Sequence, residues 1–324
     1  MEAKLIFFND ARLLEGPCWD AAHGALYFVA IRQNTIFRLE PGTGRVTSYA
    51  TEGCVGAAVV CGDTLLEAEK GGIYWLDPAT GARRFLAQPE TDPAMRYNDG
   101  KLDPRGRFLI GSMGDAERNS RGGLFSVETD GSSRRLIGGT TIANGLGFSL
   151  DERTLYFIDT PTRKVMAYGY DVETGALTTP GRVAVAIEGE GSPDGMCVDA
   201  QGRLWVALFG GGRVCRFDPE TGRMDAEIAL PCRNVTSCCL GGEDMKTLFI
   251  TTAKCAGLDE PLAGGLFAAR LTEYGKASKN AKRGRGPGTV EVPRTPFRFA
   301  HQKSIFERNQ YFLVDSAFSM RLSA

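Results

Sequence analysis

A pattern that returns about every forty to fifty residues constrains this chain more than any other feature. In Ser192-Pro193-Asp194-Gly195-Met196-Cys197-Val198-Asp199 a polar residue stands five positions before a polar stop. The same offset recurs as Glu15 before Asp20, Asn98 before Asp103 and Asn144 before Ser149. Between each pair lies a short apolar run, and a second follows, such as Gly202-Arg203-Leu204-Trp205-Val206-Ala207. Third runs begin at Thr35, Gly72, Gly123, Lys164, Arg213 and Gly265. Anchors at Glu15, Ala57, Asn98, Asn144, Asp194 and Thr236 stand roughly 42, 41, 46, 50 and 42 residues apart. Several strands per unit at a period of about 40 to 50 residues predict a β-propeller. Six units predict a six-bladed β-propeller with four-stranded antiparallel blades.

Helical periodicity is nearly absent, and short β-rich runs alternate with Gly, Asp, Asn and Pro clusters, so the class is all-β. Asp77-Pro78-Ala79-Thr80-Gly81 and Asp218-Pro219-Glu220-Thr221-Gly222 read as turns between third and fourth strands, Pro presetting one dihedral angle and Gly supplying another. Lys4-Leu5-Ile6-Phe7-Phe8 is expected to close the ring by completing the last blade. The propeller is expected over residues 1–272. Residues 273–324 read as a tail whose stretch 275–288 is basic, Gly-rich and too poor in apolar surface to order itself. Within that tail Thr295–Phe299 reads as an edge strand, while Phe312–Phe318 has no place in the six-unit scheme.

The 324 residues are 43% hydrophobic and 24% charged with a net charge of -1, which suits a globular protein with a sizeable core. That balance points to neither a nucleic-acid nor a membrane partner. The first ten residues lack the marks of a secretion signal, and no apolar run is long enough to span a bilayer. Nine cysteines with no Cys-x-x-Cys pair read as reduced core residues of a cytoplasmic protein.

In a propeller the first strands of the blades surround one channel, so equal register becomes convergence at its mouth. Glu15, Asn98, Asn144 and Asp194 would then gather two carboxylates and two amides, a donor set that suits a hard divalent cation. Without one, the two carboxylates would repel and one would be driven toward protonation. Taken singly, Asn144-Gly145 and Asp194-Gly195 are ordinary turn pairs and Arg96 a solvated loop cation. Glu15 is a poor turn residue and calls for another explanation. Only His23 and His301 occur; neither is placed to serve a nucleophilic triad or an imidazole zinc site. Acid–base chemistry must fall to a carboxylate or to water held by a cation.

Glu15-Gly-Pro, Arg96-Tyr-Asn-Asp-Gly-Lys, Gly111-Ser-Met, Asn144-Gly, Ser192-Pro-Asp-Gly-Met and Phe209-Gly-Gly-Gly-Arg-Val occur in one order. In that order and spacing the chain, from about Leu13 to Leu271, resembles the family of senescence marker protein, gluconolactonase and luciferin-regenerating enzyme. The resemblance implies a six-bladed propeller and hydrolysis of a sugar lactone, of gluconolactone or pentonolactone type, to its aldonic acid. It implies one divalent cation, Ca, Zn, Mg or Mn, on Glu15, Asn144 and Asp194, polarising the lactone carbonyl and acidifying a bound water. Asp194 would also serve as general base. Arg96 and Asn98 would contact the substrate, joined by an acidic residue after Met113, for which Asp115 and Glu117 compete. Leu14 and Ala30 depart from the residues that many members carry, Gly and Asp. The alternatives are a non-catalytic calcium-binding or interaction propeller and a broader esterase of the same fold. The sequence leaves the oligomeric state open.

Overall fold

A computed structural model describes residues 1–115, 120–254 and 257–271. The expectations for Glu117 and for the tail beyond Leu271 lie outside the described residues. Those that are described form an all-β, propeller-like fold of 25 strands and two single-turn 3-10 segments.

The strands are built in antiparallel sets. β1 (Ala3–Phe8) stands at the N-terminus, followed by the sheet β2 (Leu14–Asp20), β3 (Ala25–Ala30), β4 (Thr35–Glu40) and β5 (Arg45–Ala50). The next two sheets are β6 (Val55–Cys61), β7 (Thr64–Glu69), β8 (Gly72–Leu76), β9 (Arg83–Ala87), and β10 (Met95–Leu102), β11 (Phe108–Gly114), β12 (Gly122–Val127), β13 (Ser133–Thr140). In the following sheet β14 (Ala143–Phe148) and β15 (Thr154–Asp159) lead to β16 (Lys164–Asp171), which pairs with both β17 (Ala176–Leu177) and β18 (Arg182–Ala186).

The remaining strands are β19 (Ser192–Val198), β20 (Leu204–Phe209), β21 (Arg213–Phe217), β22 (Met224–Ala229), β23 (Asn234–Gly241), β24 (Thr247–Ala253) and β25 (Gly265–Arg270). They and β1 form one eight-stranded sheet, because the single pair Phe209↔Asn234 joins the set that begins at β19 to the set that begins at β23. β1 pairs with β25, so the N-terminal strand completes the last set. The first strands of successive sets pack side by side in a closed order, β2, β6, β10, β14, β19, β23 and back to β2.

Apolar side chains of neighbouring sheets fill the spaces between them. Ala57, Leu66 and Ile73 meet Phe108, Ile110 and Phe125, while Trp205 and Val214 meet Val235, Ile250 and Phe267. Each fully buried side chain of that size contributes roughly 1.5–3 kcal/mol. Eight cysteines among the described residues are free thiols, five of them buried, which agrees with a role in packing.

The polar stops hold the hairpins in register. Asp199 Oδ1 accepts the backbone N–H groups of Gln201 at 2.9 Å and Arg203 at 3.0 Å, and Asp103 Oδ1 accepts those of Arg105 at 2.9 Å and Arg107 at 2.8 Å. Asp20 receives Ala22 and His23 in the same way, and Ser149 Oγ receives Thr154. These are Asx-type turns between the first and second strands, so a shift of one residue would break them. Asp199 is fully buried, and its Oδ2 also accepts Trp205 Nε1 at 3.2 Å and Arg216 Nε at 2.7 Å.

Removing one partner of a buried ion pair costs about 3–5 kcal/mol. Asp199→Ala is therefore expected to lower the free energy of unfolding by that much. Asp130→Ala, at an exposed turn where Oδ1 accepts the Ser132 N–H, is expected to cost less than about 1 kcal/mol. Equal losses for the two variants, measured by urea titration, would contradict this account of the hairpins.

Candidate functional site

The anchors do not sit in turns ahead of the strands, as the sequence suggests; they sit inside them. Each first strand carries a register irregularity near its start: Glu15/Cys18 in β2, Val55/Ala57 in β6, Tyr97/Gly100 in β10, Asn144/Leu146 in β14, Pro193/Met196 in β19 and Val235/Ser237 in β23. A bulge re-aims the side chains beside it and ends regular pairing. The glycines of the Asn-Gly and Asp-Gly pairs answer to crowding rather than to a turn. A Cβ on Gly195 would meet Ser237 Oγ at 2.0 Å, and one on Gly145 would meet Ile158 Cδ1 at 2.5 Å and the Asp194 carbonyl oxygen at 2.7 Å.

Glu15, Arg96, Asn98, Asn144 and Asp194 converge on the floor of one cavity of about 330 Å³. All five are buried. Arg96 is only 2% exposed, so it is not the solvated cation that its loop-like sequence suggests. Ala57 and Thr236 share the repeat but not the site. Ala57 lines a separate cavity of about 180 Å³ nearer Cys18 and Lys101, and Thr236 Oγ1 hydrogen-bonds the Leu14 carbonyl at 2.6 Å.

The floor residues are tied together by a directed chain of hydrogen bonds. Arg96 Nη1 donates to Asn98 Oδ1 at 2.7 Å, and Asn98 Nδ2 donates to Asn144 Oδ1 at 2.8 Å and to the Ala143 carbonyl at 2.9 Å. Asn144 Nδ2 donates to Thr160 Oγ1 at 2.8 Å, and Thr160 donates on to the Pro193 carbonyl at 2.8 Å. Thr160, which the sequence reading passes over, thus engages the Asn144 NH₂ and leaves its oxygen turned to Asn98 and the cavity.

Glu15 bears the electrostatic cost of this arrangement. Burial pushes its carboxyl up to about 8, and nearby Asp99 adds to the shift; the Gly16 N–H, 3.1 Å from Oε2, and Arg96 pull the other way without offsetting it. A divalent cation would reverse the balance by favouring the ionised form. Two buried carboxylates and an amide oxygen are a donor set such a cation fits. Among the described residues no three His, Cys, Asp or Glu side chains gather as one metal cluster.

Of the two acids expected after Met113, Glu117 lies outside the described residues and Asp115 is not among the residues that line the cavity. Met113 lines the cavity, but Asp115 does not; its Oδ2 lies 2.5 Å from Lys70 Nζ on the surface. Ile142, Phe209, Arg12, Arg32 and Lys254 complete the wall unforeseen. Among the described residues no histidine lines it, and His23 is bound to Asp20 instead.

The fold and the cavity together define a propeller-like protein with an oxygen-rich pocket at one end of its first strands. The chain belongs to the SMP-30/gluconolactonase/LRE-like family, whose description matches residues 13–254. Regucalcin of Xenopus laevis is 39% identical over 284 residues, covering 82% of this chain and 93% of that protein. A Bacillus subtilis (strain 168) protein, provisionally named sugar lactone lactonase YvrE, is 34% identical over 282 residues, covering 85% and 97%. Among solved structures, a calcium-binding protein, regucalcin, from Agrobacterium tumefaciens aligns with TM-score 0.79 at 30% identity, covering 84% of this chain and 94% of that one.

In buffer free of divalent cations, Glu15 has a clear pH signature. Its folded pKa of about 8 exceeds the ordinary carboxyl value of 4.5. The folded state therefore binds the extra proton, and stability is lost as pH rises from about 4.5 through 8. Glu15→Gln is expected to flatten that part of the thermal-melting profile, and the difference between the two curves is the measurement. Parallel curves would show that Glu15 is ionised throughout.

Proposed function

We propose that this chain is a six-bladed propeller hydrolase that opens a sugar lactone to its aldonic acid with the help of one divalent cation. The observation that carries the reading is the convergence of two buried carboxylates, two amides and a buried arginine on the floor of one small cavity. Its volume is at the small end of ligand clefts, which run about 300–1,000 Å³, and suits a single sugar ring. The lactonase name of the Bacillus relative and the calcium-binding name of the Agrobacterium structure support the two halves of the reading.

Glu15, Asn144 and Asp194 would hold the cation. When bound, it supplies Lewis acidity toward the lactone carbonyl. Arg96 and Asn98 orient the ring hydroxyls and offset the negative charge that grows on the carbonyl oxygen. Asp194 takes a proton from the attacking water as its oxygen bonds to the carbonyl carbon. The same carboxyl returns the proton to the ring oxygen as the acyl C–O bond breaks. The product acid then ionises, so turnover is read as acid release. Phe209, Ile142 and Met113 give the ring an apolar wall.

General-base catalysis contributes about 10² to 10⁴ in rate. Asp194→Asn is expected to lower kcat by at least about 10²-fold in a pH-stat assay, and chelation is expected to abolish acid release until a divalent cation is restored. Retention of full activity in either case would overturn the mechanism. Acid release from no lactone with any of Ca²⁺, Mg²⁺, Mn²⁺ or Zn²⁺ would leave the calcium-binding reading in its place.

Thr160 is a positioning residue for Asn144. Outer-shell partners of this kind are worth about 10–100-fold in metal affinity. Thr160→Val is expected to weaken cation binding by that factor in calorimetry, with Thr160→Ser restoring it. An unchanged Kd in the valine variant would remove Thr160 from the site.

A further inference from the structure

The floor of the cavity accounts for the lactone ring; its rim carries a feature that the ring does not need. Arg12, Arg32 and Lys254 line the same cavity and are exposed, whereas Glu15, Arg96, Asn98, Asn144 and Asp194 are buried beneath them. Among the described residues, four cationic side chains and two carboxylates therefore line the cavity. The whole chain has a net charge of -1, so this excess is local.

The rim cations are held by backbone rather than scattered on loose loops. The Lys254 N–H donates to the Arg12 carbonyl at 3.0 Å, and the Ile31 N–H donates to the Leu13 carbonyl at 3.1 Å, beside an isolated bridge between Leu13 and Ala253. Arg32 sits in the single 3-10 turn Ile31–Gln33 that this seam anchors. One seam, where the end of β24 meets the segments before β2 and after β3, thus presents all three cations to the same opening. Lys254 also pairs with Asp10, which is exposed and does not line the cavity, so the charge of Lys254 is partly offset.

We infer that the site selects an anionic lactone, one whose ring carries a carboxylate or a phosphate that Arg12 and Arg32 engage at the rim while the carbonyl lies on the floor. This inference rests on the lactonase reading above and names its substrate class. Guanidinium groups suit either anion, because their forked donors match the oxygens of both. The carboxylate that every lactone hydrolysis creates does not explain the rim, since it forms on the buried floor. Cations at a cleft mouth also raise the encounter rate of an anionic ligand, and that gain is screened by salt.

The test uses the full chain loaded with divalent cation and three probes: D-glucono-1,5-lactone, 6-phospho-D-glucono-1,5-lactone and D-glucaro-1,4-lactone. Acid release is followed in a pH-stat above the spontaneous rate. At least one anionic lactone is expected to show a kcat/KM about tenfold or more above the neutral one; which of them does so identifies the group. Its KM is expected to climb as salt is raised, with no matching change for the neutral lactone. Arg12→Gln combined with Arg32→Gln is expected to cut the anionic-to-neutral ratio of kcat/KM about tenfold, the loss lying in KM, and the paired lysine substitutions are expected to recover part of it.

A neutral lactone turned over as well as both anionic ones, with a KM equally indifferent to salt, overturns the inference and leaves the lactonase reading intact. Turnover of none of the three overturns that reading instead. Anion preference is then read by calorimetry with glucose, glucose 6-phosphate and glucuronate: equal binding of the three rejects it, and an arginine-dependent preference for a charged one retains it as a ligand preference of the site.

Discussion

The crowding of the first strands around their common axis is the constraint on which the rest of this molecule depends. Side chains larger than hydrogen do not fit at Gly56, Gly145 or Gly195, where a Cβ would fall within 2.0–2.8 Å of the neighbouring strand. Bringing backbones that close leaves no room for regular pairing along the whole strand, and each first strand is irregular near one end. The irregularity turns side chains into the axis that a flat strand would direct to its own sheet. The site is therefore a product of packing geometry: the contacts that close the ring also determine which residues face its opening.

A second constraint follows, because the axis is buried. Glu15 and Asp194 bring two carboxylates into a space that holds them at 7% and 6% exposure. Arg96 supplies one positive charge there, yet burial still dominates Glu15, whose carboxyl is pushed up to about 8. A protein with no use for this arrangement would gain stability by replacing the acids with apolar residues. The buried carboxylates thus fall into two sets. Asp103 and Asp199 hold hairpins through backbone N–H groups and arginines, whereas Glu15 and Asp194 face the cavity.

Much of this was legible in the sequence, and the limits have physical causes. The repeat located the strands because each apolar run must fill the space between sheets, and the polar stops at Asp20, Asp103, Ser149 and Asp199 marked the hairpins. Glu15, Asn98, Asn144 and Asp194 were legible because register repeats with the fold. Their placement in turns was an error of local reasoning: Asn-Gly and Asp-Gly signal a turn only when the glycine needs unusual dihedral angles. Gly145 and Gly195 have none and are required by neighbours remote in sequence. Thr160, Phe209 and Lys254 escaped for a related reason. They lie at or just beyond the ends of second strands, and antiparallel pairing sets those ends against the starts of the first strands, as in Arg96↔Met113, Asn144↔Ile158, Ser192↔Phe209 and Asn234↔Ala253. Applying the same repeat to the second strands would have found them.

The amides on the floor, rather than further carboxylates, are what make it workable. A third acid at Asn144 would add a buried charge that Arg96 could not balance, and an acid at Asn98 could not donate to its neighbour. An amide offers an oxygen to the cavity while its nitrogen satisfies a partner, so the chain Arg96, Asn98, Asn144, Thr160 runs from a charged donor to a backbone carbonyl with each link donor to acceptor. That direction matters. If Asn144 were reversed, its oxygen would face Thr160, whose hydroxyl proton is already committed to Pro193, and its NH₂ would oppose the Asn98 NH₂. The hydroxyl at the end of the row therefore selects the amide orientation at its centre, and with it the oxygen that faces the cavity.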